Sequence, residues 1–190
     1  MLILKGNIND ISSDDIALWK TKVSKKRVES VLKKHFKRDR LLSICGDLLV
    51  LSACAESLGI DDGKETLQWE ENGKPYFKNR ELYLSVSHSG DFAVCAVHSN
   101  PVGIDIELVR DFSDKILNNI CNNEERFYIG ENAVKFFEVW TAKEAYSKLC
   151  GKGVSQILSG VYANIPKKTV MDKSLTTYHF DNYVYSVVTD

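Results

Sequence analysis

The sequence is poor in several features that mark particular protein classes. Its 190 residues include only 3 prolines and 5 cysteines. No apolar stretch approaches the roughly 18 residues that a membrane-spanning helix needs. No two cysteines have the CxxC spacing of a zinc site, and their odd number argues against a disulfide framework. We therefore expect a cytoplasmic protein with reduced thiols and no membrane partner.

Neither sign of charge dominates the sequence. The 25 basic and 26 acidic residues give a net charge of −1, which argues against a general attraction to nucleic acid or membranes. One basic stretch stands out at residues 20–40, where ten lysines and arginines face two acids, Glu29 and Asp39. Such a run is either a solvated helix face or a docking surface for phosphate or an acidic protein.

Hydrophobic periodicity predicts an α+β fold. Serine N-caps at Ser12 and Ser24 and a terminating Gly59 support the first three helices. The predicted helices cover residues 12–19, 24–36, 40–58, 122–128 and 133–149. The predicted strands cover residues 2–4, 67–70, 82–86, 92–98, 102–109, 161–164, 176–180 and 183–188.

The order of predicted elements recurs along the chain. At an offset of about 91 residues, helix 41–58 falls on 132–149 and strand 92–97 falls on 183–188. This indicates two similar α+β halves, residues 1–100 and 101–190. No linker rich in Pro, Gly or Ser separates them, so we expect one integrated unit with a cleft between the halves, where ligand sites are favoured.

Two short segments carry the residues that are most suggestive of chemistry. Residues 102–107 have the sequence VGIDIE, and as a strand they place Asp105 and Glu107 on one face, while Val102, Ile104 and Ile106 face the core. Taken alone, such an acidic pair is usually the solvated face of a sheet.

The second segment, residues 140–153, has the sequence WTAKEAYSKLCGKG. As a helix it places five residues on one side, because they follow the i, i+3, i+4 pattern: Trp140, Lys143, Glu144, Ser147 and Lys148. Taken alone, this is usually an exposed face with salt bridges. Together the two segments supply three carboxylates and one or two lysines, which suit a divalent cation and a phosphate-bearing substrate.

Two further segments precede these in the chain, Gly73-Lys74-Pro75 and Ser87-His88-Ser89-Gly90. In this order and spacing, the four segments resemble the motifs of the 4′-phosphopantetheinyl transferases, specifically the larger, Sfp-like class. The resemblance covers roughly residues 20–155. It implies a pseudo-dimer of two α+β halves in one chain. It also implies Mg²⁺-dependent transfer of the phosphopantetheine arm of coenzyme A to a serine of an apo acyl- or peptidyl-carrier protein, with release of adenosine 3′,5′-bisphosphate.

The resemblance also implies roles for individual residues. The metal ligands would be Asp105, Glu107 and Glu144. The catalytic residues would be Glu144, as a general base acting directly or through a metal-bound water, and Lys148, as a contact to the pyrophosphate. Lys143 would assist Lys148 or brace Glu144. The coenzyme A contacts would be Lys26, Arg27, Ser43, Lys74, Pro75, Ser87, His88, Lys143 and Lys148.

The sequence departs from the family pattern in the region of the 3′-phosphate. Basic residues that the family leads us to expect are replaced by Ser30 and Leu42, and Arg38 or Arg40 would have to compensate. Glu124 resembles a family acid near the site, but it also fits a first-turn helix acid.

Two other functions are weighed against the transferase. A Mg²⁺-dependent phosphodiesterase or nuclease would use the same carboxylates, but the chain has no broad basic face, and valine stands at 109 where such enzymes have lysine. A carrier-binding module without chemistry would not need Asp105, Glu144 and Lys148. The expected partners are coenzyme A and an acidic carrier protein, and the expected state is a monomer.

Overall fold

A computed structural model describes residues 1–59, 67–70, 74–78, 82–151 and 160–190. The chain divides into two compact units, Met1–Ser99 and Asn100–Asp190. Both units combine helices with antiparallel sheets, so the predicted α+β fold class is confirmed. Gly73 of the Gly73-Lys74-Pro75 motif and the end of the 140–153 segment at residues 152–153 lie outside the described residues.

The first unit has one long helix and a three-stranded antiparallel sheet of order β1-β5-β4, with β2 and β3 paired separately. Its helices are a 3-10 turn at Ile8–Asp10, α1 (Ser13–Lys22), α2 (Lys25–Leu32) and α3 (Lys37–Leu58). Its strands are β1 (Leu2–Asn7), β2 (Leu67–Trp69), β3 (Pro75–Phe77), β4 (Tyr83–Ser89) and β5 (Phe92–His98). The long helix α3 packs on β5 and β1 around Val50, Ala53 and Cys95.

The predicted capping residues begin and end these helices. Ser12 forms a capping box with Asp15, and the Ser24 hydroxyl accepts from the Arg27 amide. Gly59 ends α3 with a φ of +66°. The helix predicted over 24–36 is shorter than expected, because α2 ends at Leu32 and Phe36 becomes the N-cap residue of α3.

The second unit has a five-stranded antiparallel sheet of order β6-β10-β9-β8-β7. Its strands are β6 (Val102–Leu108), β7 (Ala163–Asn164), β8 (Thr169–Val170), β9 (Lys173–Phe180) and β10 (Tyr183–Thr189). Its helices are α4 (Asp114–Ile120), α5 (Asn123–Ile129) and α6 (Ala133–Leu149). Sequence patterns missed α4, β3 and β8, which are short elements with weak periodicity.

The two units repeat one arrangement of core elements. In each unit a hairpin (β4–β5 or β9–β10) pairs through its second strand with the unit's first strand (β1 or β6). In each unit a long helix (α3 or α6) packs on these strands. The offset of the second hairpin strand is 91 residues, from Phe92 to Tyr183. The predicted similarity of the two halves is therefore confirmed. No described helix is both long and apolar enough to cross a membrane.

Candidate active site

The face of β6 that carries the two acids lies under α6. A Cβ atom on Gly103 would lie 1.8 Å from the Ala145 carbonyl oxygen and 2.7 Å from the Leu149 amide nitrogen. Only a residue without a side chain admits the backbone of α6 at this distance. Because side chains alternate along a strand, Asp105 and Glu107 share this face with Gly103.

This placement agrees with the predicted alternation of β6. We expected Val102, Ile104 and Ile106 to face the core and Asp105 and Glu107 to share the other face. Ile104 and Ile106 are indeed fully buried, but they lie on the face away from α6. Asp105 is buried as well, with 5 % of its surface exposed. Both faces of the strand are therefore covered, and the acids lie against a helix that provides their chemical partners.

Asp105 and Lys148 form the central ion pair of this site. The Lys148 ammonium donates to Asp105 Oδ1 across 2.7 Å. The lysine side chain keeps 27 % of its surface exposed, whereas that of Asp105 keeps 7 %. The cation thus stands at the solvent side of a buried carboxylate, where it is accessible to an anionic substrate.

Glu144 lies one helical turn before Lys148 and is also buried. Burial raises its pKa to about 7, and the negative charges of Asp105 and Glu107 act in the same direction, while Lys148 opposes them. A carboxyl group with this pKa can exchange a proton near neutrality, and a cation placed between the carboxylates would favour their charged forms.

Glu107 completes the acidic group at the more exposed end of the face. Its side chain is 20 % exposed and lies 3.4 Å from Arg110 Nη1. Oxygen ligands of this kind suit Mg²⁺. Among the described residues, no three His, Cys, Asp or Glu side chains are already gathered closely enough to hold a metal ion. In this structure Lys148 provides the positive charge beside Asp105.

Lys143 does not share the site of its neighbour Glu144. Its ammonium donates to Glu125 Oε2 at 2.8 Å and to the Ile120 carbonyl at 2.5 Å, and only 1 % of the residue is exposed. Successive helix residues point about 100° apart, which sends Lys143 toward α5 and Glu144 toward β6. Its placement argues against the predicted contact with coenzyme A and gives it a role inside the unit.

Glu125 joins three parts of the second unit. One oxygen accepts from the Asn122 amide and from Lys143, and the other accepts from the Ala163 amide at 2.8 Å. The carboxylate therefore caps α5, pairs with α6 and holds β7. Sequence reasoning chose the adjacent Glu124, which is exposed and accepts from the Tyr162 hydroxyl at 2.6 Å. The Asn-x-x-Glu pattern of a capping box was the available signal for Glu125.

Arg27, which we predicted to contact coenzyme A, belongs to a buried network around Asp47. Its guanidinium donates to both oxygens of Asp47, at 2.9 and 3.0 Å. The indole nitrogens of Trp19 and Trp69 donate to the same carboxylate, at 2.9 and 3.2 Å. This network ties α1, α2 and β2 to α3, and it engages the Arg27 guanidinium internally. Lys26 beside it is exposed.

The Ser87–His88 segment lies within strand β4, which extends to Ser89 and so beyond the predicted strand 82–86. The turn itself is only Gly90 and Asp91. His88 is exposed and lies opposite Ala93 on β5, so the two share the face that α3 covers. Ala93 packs against Leu42 and Cys45 of α3, which places His88 near the first turns of that helix. Ser87, on the other face, is buried.

Further predicted residues lie at the start of α3. Arg38 is 2.7 Å from Asp91 and donates to the Gly90 carbonyl, so the start of α3 is fastened to the β4–β5 turn. Ser43 is buried and donates to the Asp39 carbonyl at 2.9 Å. The structure thus brings Arg38, Ser43 and His88 to one end of the first unit.

Lys74 and Pro75 stand at the start of β3. The Lys74 carbonyl accepts from the Glu70 amide at 2.8 Å, and Pro75 pairs with Trp69 across the two-stranded sheet. Trp69 also donates to Asp47 and lies under the Arg27 guanidinium. Because Pro75 pairs with Trp69, the predicted contacts Arg27 and Pro75 lie near each other.

Comparisons with known proteins match both units to one family. Residues 101–185 match the family model of the 4′-phosphopantetheinyl transferase superfamily, and residues 11–100 match that of the 4′-phosphopantetheinyl transferase N-terminal region. The chain is 30% identical over 151 residues to the 4′-phosphopantetheinyl transferase gsp of Aneurinibacillus migulanus, covering 77% of this chain and 63% of the relative. It is 25% identical over 186 residues to the 4′-phosphopantetheinyl transferase Sfp of Bacillus subtilis (strain 168), covering 95% and 83%.

The matched region spans slightly less than two thirds of the first of these relatives, 63%. Among solved structures, similarity is found to Helicobacter pylori holo-[acyl-carrier-protein] synthase (AcpS) in complex with coenzyme A. The TM-score is 0.38 and the identity 22%, over 46% of this chain and 97% of that chain.

Proposed function

Because the chain belongs to the 4′-phosphopantetheinyl transferase superfamily, we propose that it transfers the 4′-phosphopantetheine arm of coenzyme A to a serine of an apo carrier protein. The other product is adenosine 3′,5′-bisphosphate. The observation that carries the proposal is the Lys148–Asp105 ion pair beside Glu144, in a chain that matches the family over both units. A cation beside a carboxyl group with a raised pKa supports this proposal.

The donor set on β6 and α6 fits a magnesium ion. Asp105, Glu107 and Glu144 offer the hard oxygen ligands that Mg²⁺ prefers, and the effect of Asp105 and Glu107 on the pKa of Glu144 supports their nearness. These three residues would hold the ion. When bound, it would neutralise charge on the pyrophosphate of coenzyme A while the phosphoryl centre is attacked.

Lys148 and Glu144 divide the remaining chemistry. Lys148, with its ammonium partly exposed, binds a pyrophosphate oxygen as a point charge. Glu144 accepts the proton of the carrier serine, directly or through one water, as that hydroxyl attacks the β-phosphate of coenzyme A. The leaving group is the α-phosphate of coenzyme A, which departs as part of adenosine 3′,5′-bisphosphate.

The first unit supplies the nucleotide contacts. Lys26, Arg38 and His88 are exposed cationic or titratable groups. Arg38 and His88 lie with Ser43 at the start of α3. We assign the 3′-phosphate to this group of residues. Ser87, Lys74 and Pro75 remain assigned to the nucleotide, with Pro75 held in place by the pairing of β3 with β2. We do not assign the 3′-phosphate to Arg27, because the Arg27 guanidinium already donates to Asp47.

The partner is an acidic acyl- or peptidyl-carrier protein from fatty-acid, polyketide or nonribosomal-peptide synthesis. We propose that the enzyme acts as a cytoplasmic monomer. The odd number of cysteines and the lack of a CxxC spacing favour reduced thiols and so support a reducing compartment.

One assay tests the proposal. The protein is mixed with coenzyme A, Mg²⁺ and a panel of apo carrier proteins, and each carrier is weighed by mass spectrometry. Transfer adds about 340 Da to the carrier, the mass of the phosphopantetheinyl arm. The matched controls omit Mg²⁺ or replace the carrier serine by alanine. Absence of any mass gain across the panel, together with nucleotide release from DNA or RNA, would replace the transferase by a nuclease.

A further inference from the structure

Three hydroxyl side chains of the second unit are hydrogen-bonded to one another and are not used by the proposed chemistry. Thr141 on α6 and Ser186 on β10 are fully buried, and their hydroxyl oxygens are 2.8 Å apart. The Thr177 hydroxyl on β9 lies 3.1 Å from that of Ser186. These residues link both strands of the β9–β10 hairpin to the long helix. We call Thr141, Ser186 and Thr177 the hydroxyl cluster.

The direction of each hydrogen bond in the hydroxyl cluster follows from a helix carbonyl. The Thr141 hydroxyl is 2.8 Å from the Phe137 carbonyl oxygen, which can only accept, so Thr141 donates its single proton there. Thr141 therefore accepts from Ser186, and Ser186 accepts from Thr177. The one proton of Ser186 is thus donated to α6 and not to Asp105, the residue that pairs with Ser186 on β6.

The hydroxyl cluster lies directly beside the acidic site. Ser186 pairs with Asp105 across β10 and β6, so their side chains stand next to each other on the face under α6. Thr141 precedes Glu144 by three residues, which places both on one side of the helix. The bond between Thr141 and Ser186 therefore ties α6 to the sheet within one turn of Glu144 and at the strand position of Asp105.

The fold alone does not require hydroxyl groups at these positions. The offset of 91 residues between the units takes the hydroxyl cluster to three first-unit residues that lack a hydroxyl, Val50, Cys95 and Val86. Cys95 pairs with Val86 as Ser186 pairs with Thr177. Val50 and Cys95 are buried in the apolar core of the first unit, and Val86 packs against it. The same arrangement of elements is thus built there from apolar packing, without reactive carboxylates beside it.

A second tie between α6 and the sheet opens during the proposed reaction. The Lys148 ammonium pairs with Asp105 in this structure, and in the proposed reaction it binds the pyrophosphate. The helix loses this tie to β6 when Lys148 changes partner. The bond between Thr141 and Ser186 involves no reacting group, so it can persist through the exchange.

We propose that Ser186 and Thr141 are positioning residues, whose hydrogen bond keeps Glu144 beside the acids of β6. It does so while Lys148 passes from Asp105 to the pyrophosphate. This inference rests on the proposed function, because that function supplies the exchange of partners. A misplacement of about 1 Å in an active site can lower a rate about 100-fold, so a small shift of α6 is enough to reduce turnover.

Replacing Thr141 tests the role of the helix hydroxyl. Thr141→Val exchanges the hydroxyl for a methyl group, and Thr141→Ser keeps the hydroxyl. The valine variant should lower kcat about tenfold and raise the Kd for Mg²⁺, measured by calorimetry without coenzyme A, about tenfold. At saturating Mg²⁺, the KM values for coenzyme A and for the carrier should stay within about twofold, because no substrate contact changes. Thr141→Ser should restore both kcat and the Kd for Mg²⁺.

A triple variant separates positioning from stability. Thr141→Val, Ser186→Cys and Thr177→Val together give the second unit the side chains that the first unit has at these positions. Thr141→Val alone should lower the Tm, because the buried Ser186 proton loses its acceptor. The triple variant leaves no member of the hydroxyl cluster unsatisfied, so its Tm should return to within about 4 °C of the wild type. Its kcat and Mg²⁺ affinity should stay as low as those of Thr141→Val.

The matched control is Thr176→Val, since Thr176 is an exposed hydroxyl on the same strand as Thr177. It should leave kcat, the Kd for Mg²⁺ and the Tm unchanged. Wild-type kcat and Mg²⁺ affinity in the triple variant would overturn the proposal, because the hydroxyl cluster would then serve stability alone. A raised KM at unchanged kcat in Thr141→Val would overturn it as well, by assigning the cluster to substrate binding.

The Mg²⁺ titration keeps this inference separate from the proposed function. If the wild type adds no mass to any carrier, the transferase is rejected. A weaker affinity for Mg²⁺ in Thr141→Val, with recovery in Thr141→Ser, would then still support the positioning of the carboxylates. Mass gain by the wild type with equal Mg²⁺ affinity and kcat in all variants would retain the transferase and reject the positioning role.

Discussion

The Lys143 ammonium lies 2.8 Å from the Glu125 carboxylate, and both residues are almost completely buried. Removing one partner of a buried ion pair leaves an uncompensated charge, which typically costs about 3–5 kcal/mol. Lys143→Met should therefore lower the free energy of unfolding by about that amount. Urea unfolding monitored by circular dichroism measures it.

The control for Lys143→Met is the double variant with Glu125→Gln. Replacing both charges should recover part of the loss, because no unpaired charge remains inside the unit. A double variant with the summed cost of both single changes would contradict the assignment of the pair. Exposed Lys135→Met on the same helix α6 should change stability by less than about 0.5 kcal/mol.

Gly103 is required by the close approach of α6 and not by its backbone conformation. Gly103→Ala places a methyl group against backbone atoms that have no room to move away. We expect a loss of at least about 1–3 kcal/mol and a shift of α6 that misplaces Glu144. Thermal unfolding and the transfer assay measure the two effects. Gly160→Ala, with nothing within 4 Å of the added methyl group, should be neutral, and equal costs at both sites would refute this explanation.

Asp47 should be as important for the first unit as Glu125 is for the second. Asp47→Ala leaves the buried Trp19 indole and the Arg27 guanidinium without their acceptor. We expect a loss of about 3–5 kcal/mol. Tryptophan fluorescence during urea unfolding reports it directly. Asp111→Ala, at an exposed position, is the matched control and should cost less than about 0.5 kcal/mol.

Magnesium should stabilise the folded protein as well as support turnover. An ion bound only by the folded state adds about 2.7 kcal/mol at a hundredfold excess over its Kd. Scanning fluorimetry should show a rising Tm with Mg²⁺ for the wild type and no rise for Asp105→Asn, which removes one ligand. Asp111→Asn should behave as the wild type. Full turnover in the presence of a chelator would refute the metal assignment.

Lys148 should be replaceable by arginine more readily than by methionine. A charged hydrogen bond to the pyrophosphate is worth about 1.5–3 kcal/mol, so Lys148→Met should lower kcat/KM about 10–100-fold or more. Lys148→Arg keeps the charge and should retain a larger share of the activity. Steady-state kinetics with varied coenzyme A measure both. Equal losses in the two variants would show that shape, and not charge, matters here.

Much of the fold follows from local patterns. The caps at Ser12 and Ser24, the stop at Gly59 and the strand alternation of β6 are properties of a few neighbouring residues, and the structure has them where the sequence places them. The offset between the halves was also visible, because the long helices and second hairpin strands keep their spacing.

The directions of individual side chains did not follow from the sequence. Lys143 and Glu144 are adjacent, and only the positions of α5 and β6 around α6 send one to Glu125 and the other to Asp105. Asp47 could not be recognised as a buried acceptor, because its donors come from residues 19, 27 and 69. Such partners are distant in the chain and are set by packing.

The two units share one arrangement of core elements, but the reactive residues are not equally distributed between them. The offset of 91 takes Glu144 to Ala53. It also takes Ser186, which pairs with Asp105, to Cys95, which pairs with Leu4. Leu4 and Ala53 belong to the apolar core of the first unit. Among the described residues the repeated arrangement therefore carries one set of these groups, and we expect binding studies to find one magnesium ion, and not two, for each polypeptide.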